Sequence, residues 1–162
     1  MENGIDKQLF RRAMGHFATG ITVVTTQDET GRCWGMTANA FSSLSLEPAL
    51  VLICIDKRAG SYEAFCAASH FCVNFLSAEQ QAVSNHFASQ LEDKFAAIEF
   101  AEGICGAPVL AGTIGYVECS RYEILPGGDH VILTGKVENI AVPGGEPLLY
   151  FAGQYRSLLP IV

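Results

Sequence analysis

Two long runs of alternating residues, TIGYVECSRYEIL (113–125) and HVILTGKVENIAV (130–142), flank the tetrad PGGD. Proline, glycine and aspartate turn the chain, and alternation at period two sets one side of each run against a core. The pair reads as a half-buried antiparallel hairpin, which commits the chain to a β-sheet. Other strands are punctuated in the same way. ITVVTTQ (21–27) is β-branched, is bounded by DETG, and pairs as a hairpin with residues 32–37. ALVLICI (49–55) reads as a strand buried on both faces, and FCVNFL (71–76) as another.

The helices are few and short. Asp6 caps one that runs to about residue 17, with Leu9, Phe10, Ala13, Met14 and Phe17 on one face and Gly20 as its stop. SYEAFCAA (61–68) and AEQQAVSNHF (78–87) follow, the latter turning Ala82, Val83 and Phe87 inward. They do not alternate regularly with strands, as a parallel α/β sheet requires. The expected fold is therefore mainly β: an antiparallel barrel with a few short helices, in a single domain over residues 1–162. The unpatterned stretch 88–108 reads as an ordered flap or loop beside a site.

Composition narrows the function classes. Hydrophobic residues make up 49% and charged residues 17%, against about 25% charged in an average soluble domain, so part of the apolar surface is expected to meet a second copy in a homodimer. Ten basic against 17 acidic residues give a net charge of -7, and no basic cluster exists to track a phosphate backbone, which argues against nucleic acid. No apolar run reaches a membrane span, and the N-terminal segment lacks a signal peptide's apolar stretch, so no membrane partner and a cytoplasmic location are expected. The six cysteines show no CxxC pair and no Cys/His spacing for zinc; they read as small core residues, with neither disulfide nor metal.

Hydrolase elbows, zincin motifs, Walker loops and the G-x-G-x-x-G fingerprint are all absent. His16, His70 and His86 have no polar neighbourhood that suggests a task. His130 follows PGGD at a strand start, where glycines hold the backbone close to a ligand and Asp129 can orient the imidazole; the same residues also make an ordinary hairpin turn. In GMTANAFSSLSLEPALVLICI (35–55), small residues leave amides accessible while Thr37, Asn39, Ser42, Ser43 and Ser45 offer donors and acceptors. That set suits a flat, polar-edged, partly apolar ring such as an isoalloxazine, with Asp56, Lys57, Arg58 and Ser61 near a phosphate tail. It equally suits a hydroxyl-rich connection between strands.

FRRAMGHFATGITVVTT, GMTANAFSSLSLEPALVLICI, FCVNFLSAEQQAVSNHFA, GDHVILTGKV and PLLYFAGQY, in that order, resemble the short-chain flavin reductases of two-component flavin monooxygenases. The resemblance covers nearly the whole chain. It implies a Greek-key FMN-binding split β-barrel, a homodimer, and reduction of FMN or FAD by NADH or NADPH, with the reduced flavin passed to a separate oxygenase component. It implies that Met36, Thr37, Ala38 and Asn39 lie near the flavin ring, with Ser42 or Ser43 near the ribityl-phosphate chain. Cys54, Asp56, Lys57 and Ser61 match a second flavin-contacting stretch, and Phe87 and Ala88 a third. His130 matches the histidine that meets the nicotinamide, and Tyr155 a late aromatic nearby. Two further readings keep the barrel: a flavin-binding electron carrier without turnover, and a reductase delivering electrons to a corrin-bound cobalt. His130 separates the carrier from the enzyme.

Overall fold

A computed structural model describes residues 4–159. The first helix, α1 (Lys7–Gly15), is capped by the Asp6 carboxylate, which accepts from the Gln8 amide at 2.8 Å. It stops at Gly15, short of the expected end, because Gly20 is drawn into a strand, β1 (Thr19–Gly20), opposite Leu149. None of its residues is buried, and Leu9, Phe10 and Met14 of the expected apolar face stand exposed. The hairpin of β2 (Thr22–Gln27) and β3 (Cys33–Ala38) runs in register from Thr22 opposite Ala38 to Gln27 opposite Cys33. Then come β4 (Phe41–Leu46), β5 (Ala49–Asp56), α2 (Tyr62–Ala67), β6 (His70–Phe75) and α3 (Gln81–Ala88). The chain continues through β7 (Phe100–Glu102), β8 (Pro108–Leu110), β9 (Gly115–Gly127), β10 (His130–Ala141), β11 (Leu149–Phe151) and β12 (Gln154–Arg156).

Seven strands form one antiparallel sheet in the order β3-β2-β6-β9-β10-β5-β4. Its two edges, β3 and β4, are joined in sequence by Asn39 and Ala40 alone. Laid flat, such a sheet would separate its edges by about 29 Å, whereas that connection reaches only about 11 Å. The sheet must therefore curl until its edges meet. No ladder bonds β3 to β4 among the described residues, so the barrel is closed by the chain and split along that seam. The step from β5 to β6 crosses to the far side of β10 and β9, which gives the Greek-key path.

The barrel interior is packed by Val24, Val51, Ile53, Ile55, Phe71, Val73, Val117 and Leu133. Burying each stabilises the fold by about 1.5–3 kcal/mol. On β5 only one face is fully buried, which corrects the expectation for this strand. Val51, Ile53 and Ile55 turn inward, while Leu52 and Cys54 stay half-buried on the other face, which opens onto a groove. Outside β2 and β6 lies a second core of Ile21, Val23, Leu76, Phe87, Phe95, Leu110 and Leu148. There α3 buries Ser84 and Phe87 while Ala82 is exposed, because the helical face centred on Phe87 carries position 84 inward and leaves position 82 outside. The stretch 88–108 is ordered, packs Phe95 into this second core, and ends in the β7–β8 hairpin. All six cysteines are free; Cys72 and Cys119 are buried, and burial pushes the Cys119 thiol up to about 12. The other four are only half-buried.

Candidate functional site

The PGGD turn does more than reverse the chain. Gly127 and His130 close it in register, and Gly128 takes a φ of +74°, a conformation that glycine reaches without steric cost. His130 pairs across the sheet with Asp56, the last residue of β5. The Lys57 amide donates to the Asp129 carbonyl at 3.1 Å, and Lys57 Nζ to the Gly128 carbonyl at 2.7 Å. Two segments far apart in sequence, DKR and GDH, thus form one polar rim. Within it Asp129 accepts from His130 Nδ1 at 2.7 Å, and that hydrogen bond lowers the Asp129 pKa. Arg58 grips Asp56 through Nε and Nη2 at 3.1 and 2.7 Å, which holds the Asp56 carboxyl well below the usual carboxylate range.

Beside this rim opens a cleft of about 580 Å³, within the range of small-molecule sites. Three segments converge on it: Met36 and Thr37 of β3; Asp56 and Ser61 around the end of β5; and Phe87 and Ala88 at the end of α3. The approach of α3 to β3 depends on Gly35, where a Cβ would lie 2.5 Å from Phe87 Cε1. Thr37 Oγ1 ties the two elements by donating to the Ser84 carbonyl at 2.6 Å. Lys94 also lines the cleft; its Nζ donates to the Phe87 carbonyl at 2.7 Å and the Gly35 carbonyl at 3.4 Å, and burial lowers its pKa. Sequence reasoning missed Lys94, which sits in a charge-rich stretch with no pattern of its own. It also missed Arg32 and Trp34 at the rim, where the Arg32 guanidinium carbon lies over the Trp34 ring, 4.2 Å from its centroid.

A larger, mostly apolar groove of about 920 Å³ adjoins the cleft. Asn39, Ser42 and Cys54 line it, together with Met14, Phe17, Phe41 and Leu52. The two openings follow one another along the same strands: the chain passes from Thr37 to Asn39 on one side, and from Asp56 back to Cys54 on the other. Together they gather nine of the fourteen expected ligand residues.

The remaining five line neither opening. Ala38 is buried in the barrel, and its carbonyl accepts from Thr22 Oγ1 at 2.6 Å. Ser43 is exposed on β4, with its carbonyl accepting from Ser42 Oγ. Lys57 and His130 stand on the polar rim. Tyr155 packs against the second core, and its hydroxyl donates to Asn85 Oδ1 at 2.8 Å and lies within hydrogen-bonding distance of Ser84 Oγ at 2.9 Å, so that it braces α3.

These residues fit a flavin. Met36 and Leu52 line the openings with apolar surface, Asn39 and Ser61 with polar groups, and Lys94 places positive charge in the wall. Among the described residues no helix is long and apolar enough to cross a membrane.

Residues 14–159 match the flavin reductase like domain family. The chain is 42% identical over 93% of its length to the stachydrine N-demethylase reductase subunit Stc3 of Rhizobium meliloti, of which it covers 65%. It is 44% identical over 90% of its length to the reductase component of the flavin-dependent trigonelline monooxygenase of Acinetobacter baylyi, and spans about half of that protein, 47%. Among solved structures, the NADH:FAD oxidoreductase SgcE6 of Streptomyces globisporus, in complex with NAD and FAD fragments, superposes with a TM-score of 0.91 at 38% identity, covering 96% of this chain and 94% of that one. The shared fold is the split β-barrel.

Proposed function

Given that the chain belongs to the flavin reductase like domain family, we propose that it is an NAD(P)H:flavin oxidoreductase, transferring hydride from NADH or NADPH to FMN or FAD and releasing reduced flavin to a separate oxygenase component. The observation that carries this reading is the convergence of Met36 and Thr37, Asp56 and Ser61, and Phe87 and Ala88 on one cleft. The roles of the relatives, reductase parts of a demethylase and a monooxygenase, support it.

A flavin held here would supply the redox chemistry of hydride transfer from a reduced nicotinamide. The chain's own residues need only position, exclude water and balance charge. Met36 offers apolar surface, and the Asn39 amide meets the polar ring edge. Ser42, rather than Ser43, serves the tail together with Ser61 and Lys57. Lys94 is preorganised by two carbonyls and offsets the negative charge that develops during reduction. His130 holds the nicotinamide: Asp129 accepts from its Nδ1 at 2.7 Å, which fixes the ring and leaves Nε2 for the ligand. Tyr155, by bracing α3, keeps Phe87 and Ala88 in place.

The same proposal includes a homodimer of single-domain chains in the cytoplasm, where NAD(P)H is supplied. The exposed Leu9, Phe10, Met14 and Phe17 beside the apolar groove support the dimer, as do exposed Leu158 and Leu159 of the apolar tail. Residues 160–162 of that tail lie outside the described residues. Light scattering at micromolar concentration tests it: the mass of one chain, 17.4 kDa, with full activity removes the dimer.

Following pyridine-nucleotide absorbance with and without FMN, FAD or riboflavin tests the activity. Flavin-dependent oxidation of NADH or NADPH, yielding peroxide in air and no hydroxylated aromatic, is expected. Flavin binding without NAD(P)H oxidation would leave a carrier. A flavin-permeable, protein-impermeable barrier between this chain and an oxygenase component should still allow hydroxylation; a requirement for contact would replace free diffusion by channelled transfer.

A further inference from the structure

Several large aromatic side chains lie outside both cores, and one of them is fixed in place by polar contacts. Trp34, the only tryptophan of the chain, stands on β3 in the same row as Met36 and Ala38, which pack with the barrel interior. Trp34 itself joins neither core and remains half-buried at the rim of the smaller cleft. Its ring is held by polar contacts instead. Nε1 donates to Asp28 Oδ2 at 2.8 Å, and the Arg32 guanidinium lies over the ring at 4.2 Å. Arg32 Nη2 in turn donates to the Glu92 carbonyl at 2.8 Å, which ties the pair to the loop on the other side of the cleft. Asp28 Oδ1 also accepts from the amides of Thr30 and Arg32, so the turn beneath the ring is locked. The indole and the guanidinium over it are thus each tied by a hydrogen bond at the mouth of the cleft, and a ligand meeting them has less to order than it would with free side chains.

An indole and a guanidinium placed in this way attract a planar, electron-rich, uncharged ring. A phosphate is the poorer match: Arg32 Nη2 is engaged, and the Glu92 carboxylate belongs to a residue of the same rim. We propose that Trp34 and Arg32 form a stacking platform for the adenine ring of a dinucleotide, so that this chain favours the adenylate-bearing form of its cofactor over the mononucleotide. Gln90, also on this rim, is within the same lining and has the donor and acceptor that an adenine edge pairs with. The identity of the dinucleotide rests on the proposed function; the platform itself requires only an adenine nucleotide.

The single tryptophan is its own reporter. ADP, titrated without flavin or nicotinamide, should quench Trp34 emission saturably, and calorimetry should give the same affinity. Arg32→Gln and Trp34→Leu should each weaken ADP about tenfold, in the range expected for one base stack. Trp34→Phe gives up the bond to Asp28 but keeps a ring, and should retain most of the affinity. Two ratios then identify the source of the adenine: FAD against FMN affinity, and the KM of NADH against that of reduced nicotinamide mononucleotide. Trp34→Leu should erase the preference in one of them. No saturable ADP binding by the wild type, or both ratios unchanged in Trp34→Leu and Arg32→Gln, overturns the platform even when flavin reduction is intact. ADP binding through Trp34 in a chain that oxidises no NAD(P)H with any flavin keeps the platform and overturns the proposed activity.

Discussion

Gly35→Ala asks how tightly the cleft is set by one missing side chain. The added Cβ would sit 2.5 and 2.8 Å from the Phe87 ring and 3.2 Å from Phe95 Cζ. Ordinary carbon contacts begin near 3.5 Å, so the ring must move by about 1 Å. It has little room to do so. Phe87 is 1% exposed and packs edge-on against Phe95 at 5.2 Å and His86 at 5.6 Å. Overpacking of this kind costs about 1–3 kcal/mol, whereas replacing glycine in a strand returns only about 0.5–1 kcal/mol of chain entropy. The clash wins, and a net loss of about 1–2 kcal/mol is expected in urea unfolding. Because Phe87 and Ala88 line the cleft, flavin affinity should fall as well. Phe87→Leu removes the ring edge, so the double variant should be more stable than the sum of the single losses by about 1 kcal/mol. Stability of Gly35→Ala within about 0.5 kcal/mol of wild type, or strict additivity in the double variant, would refute the reasoning.

Asn39→Leu should weaken FMN and FAD by about 1–3 kcal/mol if it strands a buried ring-edge group; fluorescence titration checks this, and unchanged affinity removes Asn39 from the ring site. His130→Ala should raise the KM for the pyridine nucleotide while flavin affinity stays near wild type; a collapse of flavin binding assigns the histidine to the flavin pocket or the fold instead. Hydrogen bonds from Thr30 and Trp34 lower the Asp28 pKa from 3.8 to about 2. The stabilisation this brings is therefore complete above the unfolded value and is lost as pH falls through the folded one. The Tm difference between wild type and Asp28→Asn should accordingly be constant above about pH 5 and shrink towards pH 2; a difference that does not change with pH would contradict the linkage.

What the sequence determined by itself is what neighbouring residues decide. The β9–β10 hairpin is legible because alternation and PGGD act within one stretch, and β2–β3 because Asp28 and Gly31 make a turn from their own side chain and backbone. Other features depend on partners far along the chain. Phe41–Leu46 is rich in serine and becomes a strand through pairing with β5. Leu52 and Cys54 belong to an apolar run like their neighbours, yet they face a groove, because only the curl of the sheet decides which side of β5 is inside. The short β7–β8 pair and the burial of Ser84 were illegible for the same reason.

The candidate site divides in the same way. Thr37, Asn39, Asp56 and His130 could be read as candidates because their segments carry local motifs, and resemblance added Met36, Phe87 and Ala88. Lys94, Arg32 and Trp34 carried no such signal; the first is oriented by carbonyls from β3 and α3, the others by a turn and a distant loop. Barrel closure through Asn39 and Ala40 brings residues 36 and 56 to one cleft, and the packing of α3 on β3 adds residue 87. Periodicity records the two faces of a strand, but the identity of the residue across a cleft is set by the long-range pairing that closes the sheet.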